Sequence, residues 1–161
     1  MKIIKGQEII EDNWVHVGDD DELPEGKVIV SLARWLQDRE SLIARGNKEL
    51  GVSLNPDHFA EDIADDLEHF ALVALDFPTF RDGRGYSTAY VLRNKYNYTG
   101  ELRATGDVLR DQLFYLYRCG FDAFEMRADR SIEDALKAFE DFSIVYQPGA
   151  DEPLPLWRRR T

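Results

Sequence analysis

The residues best suited to chemistry lie in the middle of the chain. In the turn FRDGRGYS, Arg81, Arg84, Gly85 and Ser87 stand at the start of a helix expected from Tyr86 to Tyr96. Unpaired backbone N–H groups and the positive end of a helix dipole favour an anion at such a place, and two arginines reinforce it. The turn lacks the Gly-Lys-Ser/Thr ending of a Walker loop and is not a dinucleotide fingerprint. Its bland reading is a tight turn whose arginines pair with Asp82 or Asp76. A second stretch, ATGDVLRDQ, sets Gly106 at a sharp turn, Asp107 where a carboxylate caps the next helix, and Arg110 within reach of the same mouth. Arg127 follows one strand later, so these residues are the candidates for holding a small oxyanion. Asp76, Arg103 and Glu125 bring charge onto strands. An ion pair between Arg103 and Glu125 is the bland reading, and a general acid or base with a polarising partner is the sharper one.

Counting excludes other chemistries. A single Cys119 cannot form an internal disulfide, hold an iron–sulfur cluster or build a Cys-based zinc site. His16, His58 and His69 are scattered over the acidic half without a partner at metal spacing, so no metal is expected. No motif for a bound cofactor is present. The net charge is −11, with the one basic stretch between residues 76 and 118, the opposite of a nucleic-acid or anionic-membrane footprint. No apolar run approaches a membrane span or a signal peptide, and a cytoplasmic protein is expected.

Behind these residues stands a repeating pattern. Apolar runs at Val28 to Val30, Gly51 to Leu54, Ala71 to Phe77, Glu101 to Thr105 and Phe121 to Arg127 read as strands. Stretches of helical spacing separate them: Leu32, Trp35, Leu36 and Ile43, with Ser31 as cap; Phe59, Ile63, Leu67 and Phe70, with Asn55 as cap and Pro56 as first helical residue; Tyr86 to Tyr96; and Val108 to Arg118. ALVALDF is the most continuous run and is expected at the centre. A further helix is expected from Ser131, with Ile132, Ala135, Leu136, Phe139 and Phe142 on one face, and a last strand at Ile144 to Tyr146. Alternating strands and helices predict an α/β fold of repeated βα units with a parallel sheet. Charges inside the later strands favour a partial or reduced (β/α)-barrel-like form over the alternative, an open flavodoxin-like sheet. The length suits one domain over 28–147, with a polar arm over 1–27 that carries one short strand near Trp14 to Val17 and no catalytic group, and an irregular tail over 148–161.

The segments LVALDFPTFRDGRGYSTAYVLR and GELRATGDVLRDQLFYLYRCGFDAFEMR resemble a bacterial family of unknown biochemical function whose members are commonly labelled as probable oxidoreductases involved in sulfite reduction. The resemblance is specific over 71–127 and looser from Val28 to Phe142. It implies a setting in assimilatory sulfate reduction, because genes of this family tend to lie beside those for a siroheme sulfite reductase and for the adenylylsulfate-reducing enzyme. Siroheme or an iron–sulfur centre would then come only through a partner. Three readings stay open: an accessory protein acting with sulfite reductase, a small oxyanion-binding enzyme or carrier, and a scaffold with a vestigial pocket. A homodimer is also left open.

Overall fold

The computed structural model describes residues 2–79, 83–126 and 131–137. Among them runs one eight-stranded sheet, with the strands β1 (Lys2–Lys5), β2 (Glu8–Glu11), β3 (Val15–His16), β4 (Val28–Ser31), β5 (Leu50–Leu54), β6 (Leu72–Phe77), β7 (Glu101–Gly106) and β8 (Ala123–Phe124). The spatial order is β2-β1-β8-β7-β6-β5-β4-β3, parallel from β3 to β8 and antiparallel where β1 joins β8 and β2 joins β1. ALVALDF does form a central strand, flanked by β5 and β7.

The order forces the sheet to curl. Its outermost strands, β2 and β3, are joined by residues 12–14 alone. Laid flat, seven interstrand steps would part them by about 34 Å, whereas a three-residue link reaches about 14 Å at most. The sheet therefore bends into a half-barrel, and residues 12–14 form a strap across its open side.

Period-two alternation divides the strands between two faces. Val30, Val52, Val73, Leu75, Leu102, Ala104 and Phe124 belong to the main core beneath the helices. Ile29, Leu72 and Ala74 form a smaller cluster on the opposite face, which Trp14 of the strap covers. The inner rows run through Ser31, Ser53, Ala74 and Arg103, and through Asp76 and Thr105.

The crossovers are α1 (Leu32–Gln37) with α2 (Arg39–Ala44), then 3-10 turns, then α3 (Arg84–Asn94) and α4 (Leu113–Cys119). Residues 132–137 are helical. Ser31 caps α1, its hydroxyl accepting from the Arg34 N–H at 3.1 Å. Ser31→Ala is expected to lower stability by about 1 kcal/mol, read as a shift in the urea midpoint. Gly120 ends the α4 segment with φ +117°, and Arg93 is fully buried beside it. Its guanidinium donates to the carbonyls of Tyr98 (2.7 Å), Gly100 (2.8 Å) and Gly120 (3.0 Å).

Three expectations are corrected. The fold is α/β with mostly parallel strands, but its βα units are not regularly repeated: the helix expected after Asn55 and Pro56 is two 3-10 turns, Ala60–Asp62 and Ala64–His69. Asn55 and Asp62 bond the backbone N–H groups of Asp57 and Phe59 locally, and Glu61/Asp65 and Asp62/Asp66 set like charges four residues apart. Both effects weaken an α-helix. Likewise the helix expected from Val108 starts at Leu113, after a 3-10 turn at Arg110–Gln112. The region expected to be a polar arm holds the short strand expected near Trp14 to Val17, as β3, but also supplies β1 and β2, with Ile3 and Ile4 fully buried. The expected strand at Ile144 to Tyr146 and the tail over 148–161 lie outside the described residues.

Candidate functional site: a polar cavity at the carboxyl edge

The parallel strands all end on one side, and there the curl leaves a cavity of about 380 Å³. Each strand delivers a polar residue to it just as its apolar run stops: His16 from β3, Ser31 from β4, Ser53 from β5, Asp76 from β6, and Thr105 with Gly106 from β7. Glu125 follows β8, and Asn55 and His58 come from the turn after β5. Ligands of parallel α/β folds sit at this edge, because the strand ends and the loops after them are free to vary while the strands hold them rigidly.

Glu125 has two nitrogen partners on one oxygen. His16 Nε2 is 2.9 Å from its Oε2, and Arg103 donates to the same oxygen at 3.4 Å. Burial pushes this carboxyl up, but the hydrogen bond and charge of His16 and the charge of Arg103 outweigh burial and hold it below the usual glutamate value. Arg103 is itself only 1% exposed. It holds Asp12 with both terminal nitrogens (2.8 and 3.0 Å) and Glu101 with Nε (3.0 Å). Burial works against its charge, and the Asp12 hydrogen bond and the Glu101 carboxylate more than restore it, so its pKa is raised. One guanidinium thus ties the strap to β7 and to the segment after β8.

Asp76 sits in a different environment. Partial burial raises its carboxyl pKa, opposed by a hydrogen bond from the Thr105 hydroxyl at 3.3 Å and by the charge of His16. Among the described residues it forms no salt bridge. Gly106 holds φ +91° beside it, and a Cβ there would meet the Phe77 carbonyl oxygen and come within 2.6 Å of Asp76 Oδ1. Gly106→Ala is expected to cost about 2 kcal/mol or more, measured by thermal unfolding, because both the strained backbone and the blocked space oppose it. No group of three or more metal-ligating side chains is placed to hold an ion among the described residues.

Of the residues singled out from the sequence, Asp76, Gly106 and Glu125 line the cavity, and Arg103 lies behind Glu125. Arg84 opens α3 and pairs with Asp57 at 2.8 Å on the surface, and Arg110 pairs with Asp134 at 2.9 Å. Gly85 faces the Phe77 ring, its virtual Cβ only 2.6 Å away, so it lets α3 pack against β6. Ser87 is exposed on α3. Asp107 is half-buried, its N–H bonded to the Phe77 carbonyl at 2.6 Å. Arg81 and Arg127 lie outside the described residues. Thr105, which the strand-end reading also places at this edge, lines it too, whereas sequence reasoning missed His16, Ser31, Ser53, Asn55 and His58 as cavity residues. The signal for Ser31 was the single polar residue that closes the apolar run VIVS, as Asp76 closes LVALD and Thr105 closes LRAT.

Fold and site together define an α/β half-barrel with a polar cavity at the carboxyl edge of its parallel strands. No helix among the described residues is long and apolar enough to cross a membrane. The chain belongs to a bacterial family described as bacterial protein of unknown function (DUF934), whose sequence profile matches residues 51–157. No match was found among curated proteins or among solved structures.

Proposed function

We propose that this protein is an accessory factor of assimilatory sulfate and sulfite reduction that acts with a siroheme-containing sulfite reductase. The observation that carries the reading is the resemblance of residues 71–127 to proteins labelled as involved in sulfite reduction, a stretch that falls within the match to the bacterial family. Its chemistry is consistent with a helper role. Cys119 is the only thiol, and burial pushes its pKa up, which makes it a poor redox group. In this reading electrons and siroheme belong to the partner.

The contact surface in this reading is the aromatic face of α3 and α4. Tyr90 is 60% and Tyr115 58% exposed, and Arg118 lies over Phe114. Exposed aromatic and arginine side chains are what interface centres are enriched in. The alternative, an oxyanion-binding enzyme built on the Arg81/Arg84 turn, draws less support, since Arg84 and Arg110 are paired with Asp57 and Asp134.

The test is capture of the tagged full chain from sulfate-grown cells, with mass spectrometry and a visible spectrum on the same sample. Sulfite reductase subunits with siroheme absorbance are expected. The Tyr90→Ala/Tyr115→Ala double variant should lose them while keeping its melting temperature. Capture without reductase subunits would overturn the reading.

A further inference from the structure

We propose that the cavity at the carboxyl edge binds a small organic ammonium compound, with the cation at Asp76. The inference goes beyond the accessory role and does not depend on the partner.

The two carboxylates of the cavity are not equivalent. Glu125 already has its partners, His16 at 2.9 Å and the Arg103 guanidinium at 3.4 Å. Asp76 has a hydroxyl donor, Thr105, and no salt bridge among the described residues. A carboxylate half withdrawn from water, with one neutral hydrogen bond and no ion pair beyond the field of His16, is stabilised by a cation placed against it.

The neighbouring hydroxyls have the matching polarity. Thr105 spends its proton on Asp76, which leaves its oxygen as an acceptor; Ser31 spends its own on Asp19 and already accepts from the Arg34 N–H, which leaves it one lone pair. On the other wall, His58 Nδ1 accepts from the Asn55 N–H at 3.1 Å, which places the ring proton on Nε2. That edge offers donors to an uncharged oxygen of the same ligand. The ligand class is therefore an amine that also carries a hydroxyl or carbonyl group, small enough for about 380 Å³.

The probe is ethanolamine, with ethylene glycol as its uncharged counterpart and sodium sulfite and phosphate as anions, at matched ionic strength. Backbone amide resonances of the full-length chain report binding at Ser53 and Gly106. The carboxyl carbon of Asp76 reports its titration, whose charged or titratable neighbours are His16, Glu125, Arg103 and His58. Ethanolamine is expected to saturate both amides and to move the Asp76 midpoint down by about one pH unit, equivalent to about tenfold tighter binding to the ionised carboxylate than to the acid. Asp76→Asn should weaken binding by about the same factor, and the wild-type titration decides the matter if that variant fails to fold. Four results would overturn the proposal: ethylene glycol binding as well as ethanolamine, sulfite or phosphate binding more tightly, an unmoved Asp76 midpoint, or no saturable shift at all. None of them bears on the capture of sulfite reductase, so the two readings fail separately.

Discussion

Arg103→Met is expected to destabilise the protein by about 3–5 kcal/mol. The guanidinium is 1% exposed and faces Asp12, Glu101 and Glu125, whose side chains are 4%, 9% and 15% exposed. Methionine fills much of the same volume, so the loss is not one of packing. It is that three carboxylates are left converging in a poorly hydrated place. Lys5, at 3.1 Å, still partners Glu101, and His16 still partners Glu125. Asp12 has no other cation among the salt bridges of the described residues, and its charge must leave the inner face or take up a proton. Because Asp12 belongs to the strap, the strap should lift with it. Chemical unfolding gives the magnitude. Asp12→Asn, which removes one carboxylate and leaves Arg103 with two, should lose clearly less than Arg103→Met. Equal losses would mean that the arginine serves the strap alone.

The second large effect is expected at Arg93. Arg93→Met strips donors from the carbonyls of Tyr98, Gly100 and Gly120 and removes the cation nearest to Asp122, again at a cost of about 3–5 kcal/mol at neutral pH. This deficit depends on pH with a definite sign. Burial pushes the Asp122 carboxyl up to about 6, even though the charge of Arg93 and the Leu102 N–H hold it down. A raised folded-state pKa means that the folded chain binds the proton more tightly than the unfolded one. The contribution to stability is thus present in full at low pH and is lost as pH rises through about 6. Without Arg93 the carboxyl rises further, and a protonated Asp122 needs no cation. The gap between variant and wild type should therefore shrink as pH falls from neutral toward 4.5. Urea unfolding at the two pH values checks this, and a gap that stayed the same at both would show that the lost carbonyl partners are the whole cost.

The mostly parallel α/β sheet was legible because its strands are written as unbroken apolar runs. Val28 to Ser31, Leu50 to Leu54 and Leu72 to Phe77 lie within a residue or so of where VIV, GVSL and ALVALDF place them. β1 and β2 were not legible, because each sets only two isoleucines between charged residues, fully buried in β1 and half-buried in β2. Two apolar residues carry no periodicity, and what makes Ile3 and Ile4 core is pairing with β8, some 120 residues away. The 3-10 turns after β5 were misread for the opposite reason. Phe59, Ile63, Leu67 and Phe70 keep helical spacing, yet Asp66 turns inward to Trp35 and Arg39, and the acidic side chains compete for the backbone.

For the site, topology was the missing information. Reading the strand ends led to Asp76, Gly106 and Glu125. The arginines drew attention because an exposed basic turn stands out in an acidic chain, but Arg84 spends its charge on Asp57. His16 was set aside with the arm. Only the curl of the sheet brings it across to Glu125, 109 positions further along the chain. Serines and threonines that end apolar runs look like caps, and Ser31 is indeed both a cap and a wall of the cavity.

The pairing of β1 with β8 also sets an order of assembly. During synthesis, β4, β5, β6 and β7 each emerge after the strand they pair with, and can dock at once. Ile4 must wait for Phe124. At roughly 5–20 residues per second that delay is about 6–24 s, during which a two-stranded hairpin too small to be stable alone carries four isoleucines in water. A nascent chain stopped short of β8 should therefore present a sticky leading end to chaperones, and one released just beyond it should not. The hairpin's docking is also what draws Asp12 onto Arg103 and Trp14 over the inner face, so the cavity comes into being only after β8 has left the ribosome.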